Sequence, residues 1–128
     1  MFYYITIGTN DVARATRFYD PVMKALGFER NMADDTEIGY GTPGSKKTLF
    51  YITRPFDKTR PAGHGNGTMM AFPAKTRPMV DAFHAAALAN GGTDEGKPGP
   101  RPADGSNYVA YARDPDGNKI CAYCAKAK

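Results

Sequence analysis

The chain has 128 residues, 41% of them hydrophobic and 23% charged, and this size and composition predict one globular domain that needs neither a disulfide nor a metal to fold. No apolar run reaches the ~18 residues that span a bilayer, and the N-terminus resembles a first strand more than a secretion signal, so we expect a cytoplasmic protein that does not bind membranes. The net charge of +4 is scattered, with Lys46-Lys47 as the longest basic run, which argues against nucleic acid as a partner.

The first half of the sequence predicts a strand, a helix and three short strands. Residues 2–8 alternate in polarity and are rich in strand-forming side chains. One face of the following helix is marked by apolar residues at gaps of three and four, namely Val12, Ala15, Tyr19, Val22 and Leu26. Gly27 ends this helix, and Pro21 inside it predicts a kink. Short strands follow at about 28–31, 36–41 and 47–53.

The second half begins after a break rich in Arg, Pro and Gly at residues 54–67. The predicted elements are a strand, a helix capped by a threonine and a final strand pair, at 68–73, 76–91, 107–113 and 118–125. A Pro/Gly-rich stretch at 96–105 precedes the strand pair. The connection Asp114-Pro115-Asp116-Gly117 has the residues of a type I turn, so we interpret its carboxylates as turn residues and not as catalytic groups.

A strand and a helix followed by further strands therefore occur in both halves, and the sequence itself carries traces of a repeat. Phe18-Tyr19 and Phe83-His84 occupy matching helix positions at an offset of 65 residues. Tyr40 and Lys47 match Tyr111 and Asn118 at an offset of 71 residues. Repeated units with apolar sheet faces must cover one another, which predicts an α+β fold.

The predicted architecture is a pair of βαβββ modules that form an open, cup-shaped β-sheet with the helices outside. A single domain would occupy residues 1–128. Its parts would be module 1, a linking loop and module 2, at about 1–56, 57–66 and 67–128.

Three stretches carry a family resemblance: residues 5–20 (ITIGTNDVARATRFYD) with Leu26-Gly27-Phe28, residues 80–92 (VDAFHAAALANGG), and residues 114–120 (DPDGNKI). In this order they span nearly the whole chain. They resemble the vicinal oxygen chelate superfamily, which includes glyoxalase I, extradiol dioxygenases, bleomycin-resistance proteins and many uncharacterised relatives. The resemblance implies the paired βαβββ fold described above.

In metal-dependent members of that superfamily, a His or Gln on the first strand of each half and a Glu on the last strand of each half bind one divalent ion. The matching positions here are Tyr4, Phe50 or Tyr51, Met69 and Cys121. The offset of 71 favours Phe50, with the register open by one residue. Phenol, aromatic, thioether and thiol groups are not the imidazole and carboxylate ligands that these ions take, so we expect neither a metal at this position nor another cofactor.

The predicted cup has aromatic and thioether walls, which suit a planar or amphipathic small molecule. The candidate ligand-binding residues of its lining and mouth are Tyr4, Phe50, Tyr51, Met69, Arg101, Tyr108, Tyr111 and Cys121. Arg54 and Arg60 flank the central loop, where arginines can meet an anionic group, although solvated loop charge is the commoner explanation. The alternative is that the lining residues are core residues that close a degenerate cavity.

Two further features have modest interpretations. Cys121 and Cys124 form a C-x-x-C within an apolar strand, where residues three apart point to opposite faces. We therefore expect reduced, mostly buried thiols and neither a redox pair nor half a zinc site. His84 is expected at the surface or edge of the second helix, and His64 lies in a Gly-rich loop with no carboxylate near it in sequence.

Three functions are compatible with these observations. The first is a metal-free member that binds a small molecule. The second is an enzyme, a lactoylglutathione lyase-like or dioxygenase-like member with a displaced metal or none, in which Tyr4, Cys121 and a loop histidine are the available acids or bases. The third is a scaffold whose cup is filled by its own side chains. Related proteins often pair, and exposed Tyr and Met on strand edges would permit a homodimer.

Overall fold

The computed structural model describes residues 1–126 and shows the predicted order of elements twice. The first module contains β1 (Ile5–Gly8), α1 (Val12–Ala25), β2 (Glu29–Ala33), β3 (Glu37–Gly41) and β4 (Phe50–Thr53). The second module contains β5 (Met69–Pro73), α2 (Arg77–Ala89), β6 (Thr93–Pro100), β7 (Tyr108–Arg113) and β8 (Lys119–Cys124).

Each module builds one four-stranded mixed sheet, in the orders β1-β4-β3-β2 and β5-β8-β7-β6. The pairs β1–β4 and β5–β8 are parallel, as a strand pair joined through a helix and two further strands can be, and the other pairs are antiparallel. The sheets are not closed into a barrel. The predicted α+β fold of two βαβββ modules is therefore confirmed.

The helices begin and end at the residues whose chemistry predicts it. The side chain of Asp11 accepts a hydrogen bond from the backbone N–H of Arg14 at 2.9 Å, and Thr76 caps α2 in the same way. Gly27 has φ +83°, a conformation that lets the chain turn out of α1. Helix α1 continues through Pro21 to Ala25. Neither helix in residues 1–126 has the length and apolar character to cross a membrane.

One core joins the modules. Helices α1 and α2 pack against each other, and each also packs on its own sheet. The side chains of Tyr40, Phe50 and Ile52 enter this core from the first sheet, and those of Phe72 and Ile120 enter it from the second. The rings of Phe50 and Phe72 meet edge to face with centroids 5.0 Å apart.

Because side chains alternate along a strand, each sheet has a second face directed away from this core. We call these the open faces. On the first sheet the open face carries Tyr4, Thr6 and Tyr51. On the second sheet it carries Met69, Ala71, Tyr111, Arg113, Lys119, Cys121 and Tyr123.

Strand β6 occupies part of the stretch at 96–105 that the sequence marked only as Pro/Gly-rich. It tolerates Pro98 because it lies at the edge of its sheet, where a missing N–H is not needed by a neighbour. The register is irregular around Gly96. A Cβ atom at Gly96 would stand 2.7 Å from Cδ2 of Tyr111, so glycine allows the Tyr111 ring to lie across the strand.

The turn between β7 and β8 joins the two modules through side chains. Asn118 donates from Nδ2 to the carbonyl of Gly8 at 3.0 Å and to Asp114 Oδ2 at 2.9 Å. The hydroxyl of Tyr19, on α1, donates to the same Asp114 oxygen at 2.6 Å. Burial raises the pKa of Asp114, and burial together with the Asp114 carboxylate raises the pKa of Tyr19 well above its ordinary value.

Asp116 makes the second set of contacts between the modules. Its side chain is 2% exposed and accepts from Thr9 Oγ1 at 2.5 Å and from Arg14 Nη2 at 2.6 Å. The backbone N–H of Asn10 donates to it at 2.9 Å. All three partners lie just after β1 or in the first turn of α1. Because Asp114, Asp116 and Asn118 connect the β7–β8 turn to the first module in this way, we call these three residues the inter-module clip.

We predict that Asp116→Ala lowers the free energy of unfolding by about 2–4 kcal/mol, because it leaves the Arg14 guanidinium and two other donors without their acceptor. Urea denaturation followed by circular dichroism measures the loss. Asp35→Ala removes an exposed carboxylate from the turn between β2 and β3 and is the matched control, with an expected change within ~0.5 kcal/mol. Equal stability of the two variants would contradict the clip.

Candidate functional site

Of the first-module candidates for the family's ligand positions, Tyr4 and Tyr51 lie on the open face of the first sheet. The rings of Tyr4 and Tyr51 meet edge to face with centroids 5.1 Å apart. Phe50 points the other way, into the core, where its ring contacts Tyr19 and Phe72. The sequence offset favoured Phe50 as the residue that faces the cup, but Tyr51 is the one on the open face. Strand β4 pairs with β1 so that Ile5 and Phe50 both point to the core side.

The second-module positions lie on the open face of the second sheet. Met69 is 42% exposed at the start of β5. Cys121 is only 1% exposed, although it points away from the common core, and it lies directly opposite Tyr111 on the neighbouring strand. Ala71 is its partner on the other side. The second sheet thus places the Tyr111 phenol and the Cys121 thiol side by side, with the Met69 thioether on the same face opposite Lys119.

The Cys121 thiol is protonated at neutral pH. Burial raises its pKa from the ordinary 9.0 to about 11, and the nearby Lys119 offsets only part of this effect. Cys124 points to the opposite side, into the core. Both cysteines are free and buried, which confirms the expectation that they lie buried in the strand.

The family's divalent metal does not fit the residues present at its ligand positions. Two phenols, a thioether and a protonated thiol provide neither imidazole nor carboxylate, the ligands that Zn, Ni, Mn or Fe(II) take in such sites. Elsewhere in residues 1–126, no three His, Cys, Asp or Glu side chains are grouped closely enough to hold a metal ion.

Two predicted mouth residues lie elsewhere. Tyr108 is on the core side of β7, where its hydroxyl donates to Asp81 at 2.7 Å and the Arg77 guanidinium lies 4.9 Å from its ring centroid. Tyr108 faces α2 because it lies on the same side of β7 as the buried Ala110 and Ala112. The alternation of side chains in the sequence does not tell which side of β7 faces the helix. The Arg101 guanidinium donates to the backbone carbonyls of Lys97 and Pro100 on β6.

His84 is not at the surface. It is 7% exposed, and its Nε2 lies 2.9 Å from Oδ1 of Asp94. This hydrogen bond holds the pKa of Asp94 below its usual range. The pair ties α2 to β6, a packing role that the ten-residue separation of the two side chains in sequence did not reveal.

Two cavities lie at the ends of the sheets. The larger, about 830 Å³, lies beneath the connection between the modules and is bordered by Arg54, Phe56 and Arg60, so both arginines flank a cavity as the sequence suggested. The smaller, about 410 Å³, lies between residues 64–69 and the side chains of Arg113 and Lys119. We call it the glycine-loop cavity. The sequence analysis missed its two cations, although both flank the Asp114–Gly117 turn.

A match to a family model and the likeness to a solved structure of related sequence both point to one family. Residues 2–122 match the Glyoxalase/Bleomycin resistance protein/Dioxygenase superfamily. The fold is similar to that of a glyoxalase/bleomycin resistance protein from Albidiferax ferrireducens T118, with 41% identity, a TM-score of 0.85, and 97% of this chain and 98% of that chain covered. No curated protein is significantly similar in sequence.

More distant structures share the fold alone. A glyoxalase/bleomycin resistance protein/dioxygenase family enzyme from Burkholderia phytofirmans PsJN has 19% identity and a TM-score of 0.71, with 97% of this chain and 98% of that chain covered. A lactoylglutathione lyase from Agrobacterium tumefaciens has 17% identity and a TM-score of 0.65, with 97% and 92% covered.

The raised pKa of Cys121 has a consequence for stability. The folded protein retains this proton to a higher pH than the unfolded chain, so the contribution is complete below pH 9.0 and is lost as the pH rises toward about 11. We predict that the wild-type protein loses about 2 kcal/mol more than Cys121→Ala over this range. Chemical denaturation at several pH values, with a reductant present, measures the difference. Tyr19 and Tyr40 titrate in both proteins and cancel. Parallel profiles would contradict the prediction.

Proposed function

The chain belongs to the glyoxalase/bleomycin resistance protein/dioxygenase superfamily, and we propose that it binds a small molecule on its open sheet faces without a metal at the family's ligand positions. The observation that carries this proposal is the composition of the open face of the second sheet. Met69 and Tyr123 are 42% and 40% exposed there, on the same face as Tyr111, whereas the neutral Cys121 thiol on that face is 1% exposed. A monomeric surface rarely leaves such side chains together and uncovered without a binding role.

The ligand that this surface favours is planar and largely apolar. Aromatic rings and a thioether offer dispersion and stacking contacts to a flat ring system, and Met69 adapts its shape to the bound molecule. The phenolic hydroxyls of Tyr51 and Tyr111 can orient a polar substituent at the edge of such a ring. The exposed side chains argue against a scaffold whose cup is filled by its own residues.

Partners other than the small molecule follow from the same surfaces. A second copy of the chain is the proposed macromolecular partner, because Tyr4, Leu49 and Tyr123 expose apolar area on the sheets. Nucleic acid and membranes are not proposed, since the cations are scattered over the chain. A lyase or dioxygenase reaction is not proposed, because the likeness to the lactoylglutathione lyase from Agrobacterium tumefaciens, at 17% identity, concerns the fold.

The test uses 2-naphthol, a neutral planar probe, and isothermal titration calorimetry. We predict measurable binding to the wild-type protein and about tenfold weaker binding to Tyr111→Ala, the loss of roughly one aromatic contact. Leu88→Ala is the matched control, because Leu88 is exposed on α2 and lies on neither open face. Its affinity should equal that of the wild-type protein.

Two results would contradict the proposal. The first is equal binding by Tyr111→Ala and Leu88→Ala, which would place the probe elsewhere. The second is the absence of binding for 2-naphthol and for a panel of larger planar molecules in a thermal-shift screen of the wild-type protein.

A further inference from the structure

We propose that the glycine-loop cavity is an anion subsite that takes the phosphate or carboxylate group of the ligand bound on the open face of the second sheet. This inference rests on the proposed function, since it names the chemical class of ligand for that face. The cavity has a volume of about 410 Å³ and is lined by residues 64–69 together with Arg113 and Lys119. No carboxylate is among these residues.

The first argument is an unfavourable charge arrangement. Arg113 and Lys119 lie directly opposite each other on the antiparallel strands β7 and β8. Like charges in this position repel and destabilise a sheet. The Glu95 carboxylate pairs with Arg113, whose Nη1 also donates to the carbonyl of Gly117 at 2.9 Å. One positive charge of the pair is thereby compensated.

The charge of Lys119 is not compensated. Within residues 1–126, no carboxylate lies at ion-pair distance from its Nζ, which stands 5.4 Å from the ring centroid of Tyr111. Lys119 therefore faces the cavity with a free ammonium group beside an aromatic ring. An anion bound there would compensate the charge of Lys119, with the Glu95-paired Arg113 as a second cation in the cavity wall.

The second argument is the supply of hydrogen-bond donors in the loop. The backbone N–H of Thr68 donates to the carbonyl of Gly65 and closes a turn, whereas the N–H groups of residues 64–67 have no acceptor within the described chain. A Cβ atom at Gly65 would stand 2.5 Å from the Thr68 hydroxyl oxygen, so glycine lets that hydroxyl approach the loop. Successive free backbone N–H groups beside cations are the elements from which oxyanion sites are built.

The third argument is continuity with the open face. Met69 lines the glycine-loop cavity and also belongs to the open face. Tyr111, Lys119 and Cys121 lie on that same face. A ligand whose planar body lies over Tyr111 can therefore place an oxyanion in the glycine-loop cavity, beside Lys119, while it stays on one face of the sheet. The chemical class is a planar or apolar molecule that carries a phosphate or a carboxylate.

The test compares four probes by calorimetry: 2-naphthol, 2-naphthyl phosphate, 2-naphthoate and inorganic phosphate. We expect at least one of the two anionic naphthyl probes to bind about tenfold more tightly than 2-naphthol, and inorganic phosphate to compete with it. The preferred anion distinguishes phosphate from carboxylate. Lys119→Gln should bring the affinity ratio of the anionic probe to 2-naphthol, both measured on this variant, from about tenfold to about one.

Two matched variants keep the result interpretable. Lys119→Arg retains the charge and should retain most of the advantage, which separates electrostatics from a general effect on the fold. Lys75→Gln removes an exposed cation distant from the cavity lining and should behave as the wild-type protein.

The outcomes separate the two proposals. If 2-naphthol binds but neither anionic probe gains affinity, or if Lys119→Gln keeps the gain, the anion subsite is overturned and the proposed function stands. If inorganic phosphate binds in a Lys119-dependent way but neither 2-naphthol nor the panel of larger planar molecules binds, the anion-binding part of the subsite is supported and the apolar binding face fails. If none of the four probes binds, the subsite is overturned.

Discussion

The hydrogen bonds that Asp114, Asp116 and Asn118 make to the first module hold the molecule in one arrangement. Neither module can bury its apolar sheet face alone, and within residues 1–126 the two sheets share no hydrogen-bonded strand. The hydrophobic effect behind the common core is non-directional, so the core alone constrains the relative position of the modules less strictly than directional contacts do. Buried carboxylates that require named donors are directional, because a displaced module would leave them unpaired in a medium of low dielectric constant. The clip therefore fixes how the two modules sit against each other, while the core side of each strand decides which sheet face stays open.

The open faces explain why this fold can be retained while the metal chemistry of some relatives is not. The positions that resemble the family's ligand positions lie at strand locations fixed by the core and the clip, whatever side chain they carry. Here they carry Tyr4, Tyr51, Met69 and Cys121, which are suited to contact with an apolar body and not to a divalent ion. The cationic side chains that could bind a polar group, Arg113 and Lys119, lie instead at the end of the second sheet, beside the loop of residues 64–69. A fold in this family therefore supplies a location for binding, and the side chains decide its chemistry.

Much of this could be predicted from local sequence signals. The apolar spacing of α1, its Asp11 cap and Gly27 stop are short-range effects, so the helix was predictable, and the internal repeat revealed the topology. The misplaced residues all depend on long-range pairing. Phe50 and Tyr51 differ by one position in a strand with apolar residues on both sides, so only pairing with β1 decides which one enters the core. Tyr108 and His84 were misplaced because their partners, Asp81 and Asp94, are distant in sequence.

The most direct test of the account is metal analysis by mass spectrometry on untagged protein, before and after incubation with Ni, Zn, Mn and Fe(II) and removal of the unbound ion. The donor chemistry at the four family positions predicts that every ion is retained at far less than one equivalent per chain. It also predicts that Cys121→Ala changes nothing in these measurements. Retention of one ion per chain, lost in Cys121→Ala, would contradict the account and would make a metal-dependent reaction at this site the better description of the protein.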